Sequence, residues 1–132
     1  MEFKKHPELI WRQYLSAPFI AMMIIPIVIL DIFLIVYHGV CFRLYKLPLI
    51  QRSQYIKIDR QKLKYLTWYE KIFCVFCGYA NGLAHYFTVI AAESERYWCG
   101  IKHAQDPNFI PPEHHENFLD YGDEKGYKKL EK

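Results

Sequence analysis

Cys74 and Cys77 form a C-x2-C pair followed directly by Gly78, and 21 residues later Cys99 and His103 form a C-x3-H pair. A C-x2-C turn brings two thiolates to one ion, and a distal Cys/His pair can complete a tetrahedral Cys3His shell. Zinc is then the expected ion and iron the alternative. His114 and His115 stand downstream as spare ligands. Two other readings use the same residues. Cysteine packs well as a small apolar core residue, which would make His103 a polar cap. A C-x2-C pair can also cycle as a dithiol, although no thioredoxin-like strand precedes this one. Cys41, the fourth cysteine, lies apart and reads as apolar packing, with reversible lipidation the alternative.

The elements that position these four residues decide whether they form one site. From Gln61 to about Trp98, apolar residues including Leu63, Leu66, Phe76, Tyr79, Leu83, Phe87 and Ile90 recur mostly every three or four positions, which predicts an amphipathic helix. If residues 79–98 form one helix, its ends stand about 30 Å apart at about 1.5 Å per residue. Cys77 and Cys99 then meet only if the helix breaks, at Gly82 or near Ser94, or if a second chain in an antiparallel dimer supplies half the ligands. Gly78 and Gly82, with Asn81 beside the second, are the weak points at which one interrupted helix or two would result.

Upstream, residues 13–30 carry no charge, and after Asp31 the apolar run resumes as "IFLIVY". That is about the length needed to cross a hydrocarbon core of roughly 30 Å. It exceeds the apolar region of a secretory signal, and no small-x-small cleavage site follows. Pro18 and Pro26 each remove a backbone donor, so the helix should kink near Pro26 and either span the bilayer or enter and leave on one side. Asp31 places a carboxylate in or near the lipid, where it marks a protein contact, an ion pathway or the interface. Tyr37, Phe42 and Tyr45, with Arg43 and Lys46, form an aromatic and basic border suited to headgroup depth.

The expected organisation is mostly α. It comprises a basic flank at 1–13, a membrane helix at 14–37 and a juxtamembrane segment at 38–60. A helical region at 61–104 and a proline-rich polar arm at 105–132 follow. Basic residues near the membrane number three on the N-terminal side (Lys4, Lys5, Arg12) and four on the other (Arg43, Lys46, Arg52, Lys57), so the positive-inside rule leans towards a cytoplasmic C-terminal part. The net charge of +3 reads as contact with anionic lipid, since the basic residues flank an apolar anchor and no nucleic-acid motif is present.

The stretches "CGYANGL", "IAA", "YWCGIKHA" and "FLDYGD" resemble a family of small, uncharacterised bacterial membrane proteins, the likeness covering roughly residues 28–126. It implies a bacterial inner-membrane source, an anchored architecture and a helical body, and supplies no reaction. No complete catalytic motif appears. Asp59 and Arg60, His85, Glu93 and Glu95 are the acid/base candidates of an interfacial enzyme acting on lipid-linked substrates, but residues two apart do not share a helix face, so Glu93 and Glu95 make a poor dyad. The sequence favours a non-catalytic accessory subunit bound to the bilayer and to an integral membrane complex or to itself. Pro26, Asp31, Tyr37, Phe42 and Tyr45 are its expected contacts. A Cys3His metalloprotein and the interfacial enzyme are the alternatives.

Overall fold

The computed structural model describes residue 8 and residues 10–130 of the chain. Lys4 and Lys5 of the basic flank lie outside the described residues. The chain is mostly helical, with α1 at Ile10–Met22, α2 at Ile24–Leu44, α3 at Trp68–Trp98 and α4 at Glu124–Leu130, and short 3-10 turns at Arg52–Gln54, Arg60–Lys62 and Glu113–Asn117. No strand occurs among the described residues, and the arm after α3 is irregular apart from its 3-10 turn and α4. Two compact units are present, residues 1–86 and 87–132, with α3 contributing to both.

In the first unit, α1 and α2 follow one another with a single interruption at Met23. Pro26 has no N–H to offer the carbonyl four residues back. Around it the chain substitutes a bond from the Met23 N–H to Ile20 O at 3.1 Å and one from the Ile27 N–H to Met23 O at 3.3 Å. The expected membrane helix at 14–37 is thus longer at both ends, because nothing stops it before residue 44. There the Leu47 N–H bonds Phe42 O at 2.8 Å and the Lys46 N–H bonds Arg43 O at 3.2 Å, which closes a Schellman motif, and Pro48 follows. Lys46 holds the left-handed position of that motif at φ 57°. Glycine is at ease there and lysine is strained, so Lys46→Gly is expected to raise the thermal unfolding midpoint by an increment worth about 0.5–1 kcal/mol. A lowered midpoint would show that the Lys46 side chain contributes more than its backbone strain costs.

No residue of α1 is buried, and α2 buries Asp31, Leu34, His38 and Phe42, a stripe with spacings of three, four and four. Phe19, Ile25, Phe33 and Val36 are among the many large apolar residues left exposed around the remaining face. α3 begins at the carboxylate half of a capping box: the Thr67 N–H and hydroxyl both donate to Glu70 Oε2, at 2.9 and 2.7 Å. This is why the helix starts at Trp68 and not at Gln61, where the apolar periodicity alone places it.

α3 is unbroken through Gly78 and Gly82. The two glycines, one turn apart, form a groove and not a hinge. A Cβ at Gly82 would stand 2.8 Å from Tyr55 O and 2.9 Å from the Ile56 Cα, and one at Gly78 would stand 3.2 Å from Lys57 O. The segment returning from α2 to α3 runs through this groove. Tyr79 reaches Asp31 and Tyr86 reaches His38, so both pairs are 48 residues apart and α2 and α3 run parallel over this stretch, with the return segment alongside.

Candidate functional site

The first unit carries a polar seam inside an otherwise apolar pair of helices. Asp31 is buried, its Oδ2 accepting from Arg52 at 2.5 Å and from the Tyr79 hydroxyl at 2.7 Å. One heptad further on, His38 is also buried; its Nε2 accepts the Ile50 N–H at 3.0 Å. The proton of the neutral ring therefore sits on Nδ1, which faces the Tyr86 oxygen at 3.2 Å. Phe42 closes the seam at 0% exposure, with its ring 4.6 Å from that of His38. Asp31 and Phe42, expected as membrane or partner contacts, are instead internal: Arg52 and Tyr79 both bond Asp31 Oδ2 from within the chain, while its Oδ1 is buried without a hydrogen-bond partner, and Phe42 packs on His38. Pro26 is exposed and Tyr37 and Tyr45 are half-buried, so those three remain at the surface.

The second unit gathers ionisable side chains around Glu95. Two of its neighbours come from the 3-10 turn at Glu113–Asn117, which Pro111 and Pro112 lead into and which the His115 N–H closes on Pro112 O at 3.0 Å. His114 Nε2 stands 2.7 Å from Glu95 Oε2, and His115 Nε2 stands 3.1 Å from Glu95 Oε1. The third is His103. Gly100, at φ +58°, turns the chain back after α3, a conformation that glycine adopts without strain. Leu119 N–H then bonds Gly100 O at 2.9 Å and Lys102 N–H bonds Leu119 O at 2.8 Å, tying the start of the arm to the segment after the 3-10 turn. One ligand atom from each of Glu95, His103 and His115 lies within 4.8 Å of the others. His115 is buried and stacks on Phe118 with ring centroids 4.9 Å apart, whereas His103 is exposed. Glu95 lies beyond the uncharged stretch of α3 at 72–92, and the hydrogen bond from His114 holds its carboxyl below the usual carboxylate range, assisted by His115 against the opposing effect of burial.

No protein-family model, curated protein or solved structure matches this chain.

The Cys3His set divides differently from the sequence expectation. Cys74 and Cys77 lie on α3, half-buried and exposed, and Cys99 follows its end, exposed; all are free thiols. Because α3 is continuous, the break at Gly82 or Ser94 that a single-chain Cys3His site required is absent. Gly82 is held in the helix by the groove it provides, and the Ser94 hydroxyl bonds Ile90 O at 2.8 Å within the same helix. Only His103 of that set joins a cluster, with His115, one of the two spare ligands, and Glu95, an acid/base candidate by sequence. Among the other acid/base candidates, Asp59 pairs with Lys57 at 3.5 Å, His85 meets Tyr55 edge-on, and Glu93 pairs with Arg96 one turn along the helix. The capping box at Thr67 and Glu70 was readable in the sequence; the cluster around Glu95 was not, since its members come from a helix end, a turn and an arm.

Proposed function

We propose that the chain is a membrane-anchored, non-catalytic accessory subunit of the bacterial cytoplasmic membrane that binds a larger membrane protein assembly. What carries this is the exposure of the helix Ile10–Leu44. Two helices, this one and Trp68–Trp98, are long and apolar enough to cross a membrane, and the most apolar window of the first is only 11% buried. A core helix of a soluble domain would hide most of that surface. The assignment to bacteria and to that membrane rests on the motif resemblance, and the cytoplasmic side on the basic border after α2.

The course of the chain favours an anchor lying along one leaflet over two independent spans. α2 and α3 are parallel and joined by a return segment that runs beside them. Between 50 and 64 this segment carries Arg52, Lys57, Asp59, Arg60, Lys62 and Lys64, and its backbone is largely outside helix. Irregular backbone with exposed charges is not tolerated against lipid tails. The covered side of the helix pair therefore faces headgroups, water or protein, and the apolar side of α1 and α2 faces the acyl chains. At about 1.5 Å per residue the helix Ile10–Leu44 is about 52 Å long, well beyond a hydrocarbon core of about 30 Å.

Gentle detergent extraction of the native membrane, followed by mass analysis of the chains that co-purify, tests the subunit assignment. A stoichiometric integral membrane partner is expected. Recovery of this chain alone, or only with copies of itself, would remove the assignment. The anchor is tested on the same material: the chain should stay with membranes through alkaline carbonate, and cysteines placed at Glu8 and Lys46 in a background without native cysteines should react with an impermeant maleimide from the same side. Labelling from opposite sides would establish a single span in place of an anchor in one leaflet.

A further inference from the structure

We propose that Glu95, His103 and His115 bind a divalent transition-metal ion, with Zn²⁺ the ion that suits this ligand set, at the end of α3. The site goes beyond the anchoring role and uses none of the cysteines.

The distances support a site built with little rearrangement. Two ligand atoms about 2.0–2.2 Å from one tetrahedral zinc ion stand roughly 3.3 Å apart. Glu95 Oε1 and His115 Nε2 are 3.1 Å apart, so their separation already suits one ion, and binding it requires each group to turn its lone pair off their shared hydrogen-bond line towards the ion. His103 supplies the third ligand. It has to close from within 4.8 Å to roughly the same 3.3 Å separation, and as an exposed side chain on the returning arm it can do so by a change of rotamer. One carboxylate and two imidazoles suit zinc and other first-row ions, and three protein ligands leave a position for water or a further ligand.

The surroundings hold the ligands in place. His115 is fixed by the 3-10 turn and by Phe118, and Glu95 by the last turns of α3. His114, at 2.7 Å from the second carboxylate oxygen, orients Glu95 from outside the ligand set, the kind of contact that tunes metal affinity in many sites. His103 also stands edge-on to Phe109, 5.1 Å between centroids, which limits the ring to a few orientations.

The ion replaces a proton-mediated arrangement. Without metal, the ionised Glu95 carboxylate accepts from Nε2–H of both His114 and His115. Binding through His115 Nε2 requires that nitrogen to give up its proton as the metal–nitrogen bond forms: in a neutral ring the proton moves to Nδ1 by tautomer exchange, and in a doubly protonated ring it leaves to solvent while Nδ1 keeps its own.

Zn²⁺ is titrated into the purified full-length chain in detergent micelles, by calorimetry and by competition with a chromogenic chelator. One equivalent is expected to bind. Glu95→Gln and His103→Ala should each weaken binding by about 100-fold or more, and His114→Ala by about tenfold, since loss of an orienting contact typically costs ten- to a hundredfold. The combined Cys74→Ser, Cys77→Ser and Cys99→Ser variant should bind as the parent does. Co²⁺ in place of zinc should give visible ligand-field bands without the near-ultraviolet charge-transfer bands of thiolate ligation. Because His103 is exposed, His103→Ala keeps its helical circular dichroism and decides the matter even if Glu95→Gln fails to fold. Absence of saturable binding, binding that survives His103→Ala undiminished, or loss of binding in the cysteine variant would each overturn the assignment.

Discussion

Gly82→Val is expected to destabilise the first unit by about 3 kcal/mol or more, read as a lowered thermal unfolding midpoint in mild detergent. The reason is that the obstruction is backbone. A side chain at residue 82 meets Tyr55 O and the Ile56 Cα inside 3.0 Å, and neither can swing aside as a flexible side chain would. Gly82→Ala tests the same point more sharply, because two effects of known sign compete in it. Alanine in a helix interior gains up to about 1 kcal/mol over glycine. Overpacking a filled site loses typically about 1–3 kcal/mol. With backbone on the far side of the clash the loss should win, leaving Gly82→Ala less stable than the parent. Gly78→Ala meets only Lys57 O, at 3.2 Å, and should fall close to neutral. A midpoint for Gly82→Ala above that of the parent would mean that the return segment does not lie in the groove.

Arg52→Ala should be the most damaging single change in the polar seam, costing about 3 kcal/mol, the low end for stranding a buried carboxylate because water can reach part of the space vacated. Asp31 retains 10% of its side-chain exposure and Arg52 retains 40%. Removing the arginine leaves a buried charge with the Tyr79 hydroxyl as its remaining donor. Asp31→Ala leaves a cation that can turn outward, and should cost less, about 1–2 kcal/mol. The triple replacement Asp31→Leu, Arg52→Met and Tyr79→Phe should recover most of the loss, since well-packed apolar groups commonly match or exceed a buried ion pair in stability. If Asp31→Ala proves as harmful as Arg52→Ala, the pair is solvated and the seam does not act as a buried lock. The seam then has a use beyond stability: α2 is apolar on almost every face and could slide or rotate against its neighbours, but only one register presents Asp31 to both Arg52 and Tyr79 and His38 to both Ile50 and Tyr86.

Much of the fold is legible in the sequence because helix formation is local. The uncharged run at 13–30, the interruption beside Pro26 and the three- and four-residue periodicity leading to Trp98 all report on residues a turn or two apart, and the helices form there. What the sequence conceals is contact between distant segments. Gly78 and Gly82 weaken a helix when judged by propensity alone; their use appears only when residues 55–57 arrive to fill the groove. Asp31 looks unpaired until Arg52, 21 residues on, and Tyr79, 48 residues on, are brought to it. The candidate metal site shows the same limit. A C-x2-C pair carries its chemistry in its spacing, so it draws attention, whereas Glu95, His103 and His115 become neighbours only through the turn at Gly100 and the 3-10 turn after Pro112. In sequence the nearest acid to Glu95 is Glu93, with which it shares no helix face, whereas its partners lie on the arm.

The parallel course of α2 and α3 also sets an order of events during synthesis. An antiparallel hairpin could close as soon as its second helix emerged, but here Asp31 and His38 wait for Tyr79 and Tyr86, 48 residues later in the chain. Chain made at about 5–20 residues per second leaves the helix Ile10–Leu44 without these partners for several seconds. In that interval its apolar surface is the most adhesive feature of the nascent protein, and a lipid bilayer beside the ribosome is the surface best able to receive it. The seam then closes on a helix already held in one plane, which shortens the search that such a long-range pairing would otherwise impose. Membrane targeting and folding would thus be coupled, and chain released away from a membrane should aggregate before it can fold.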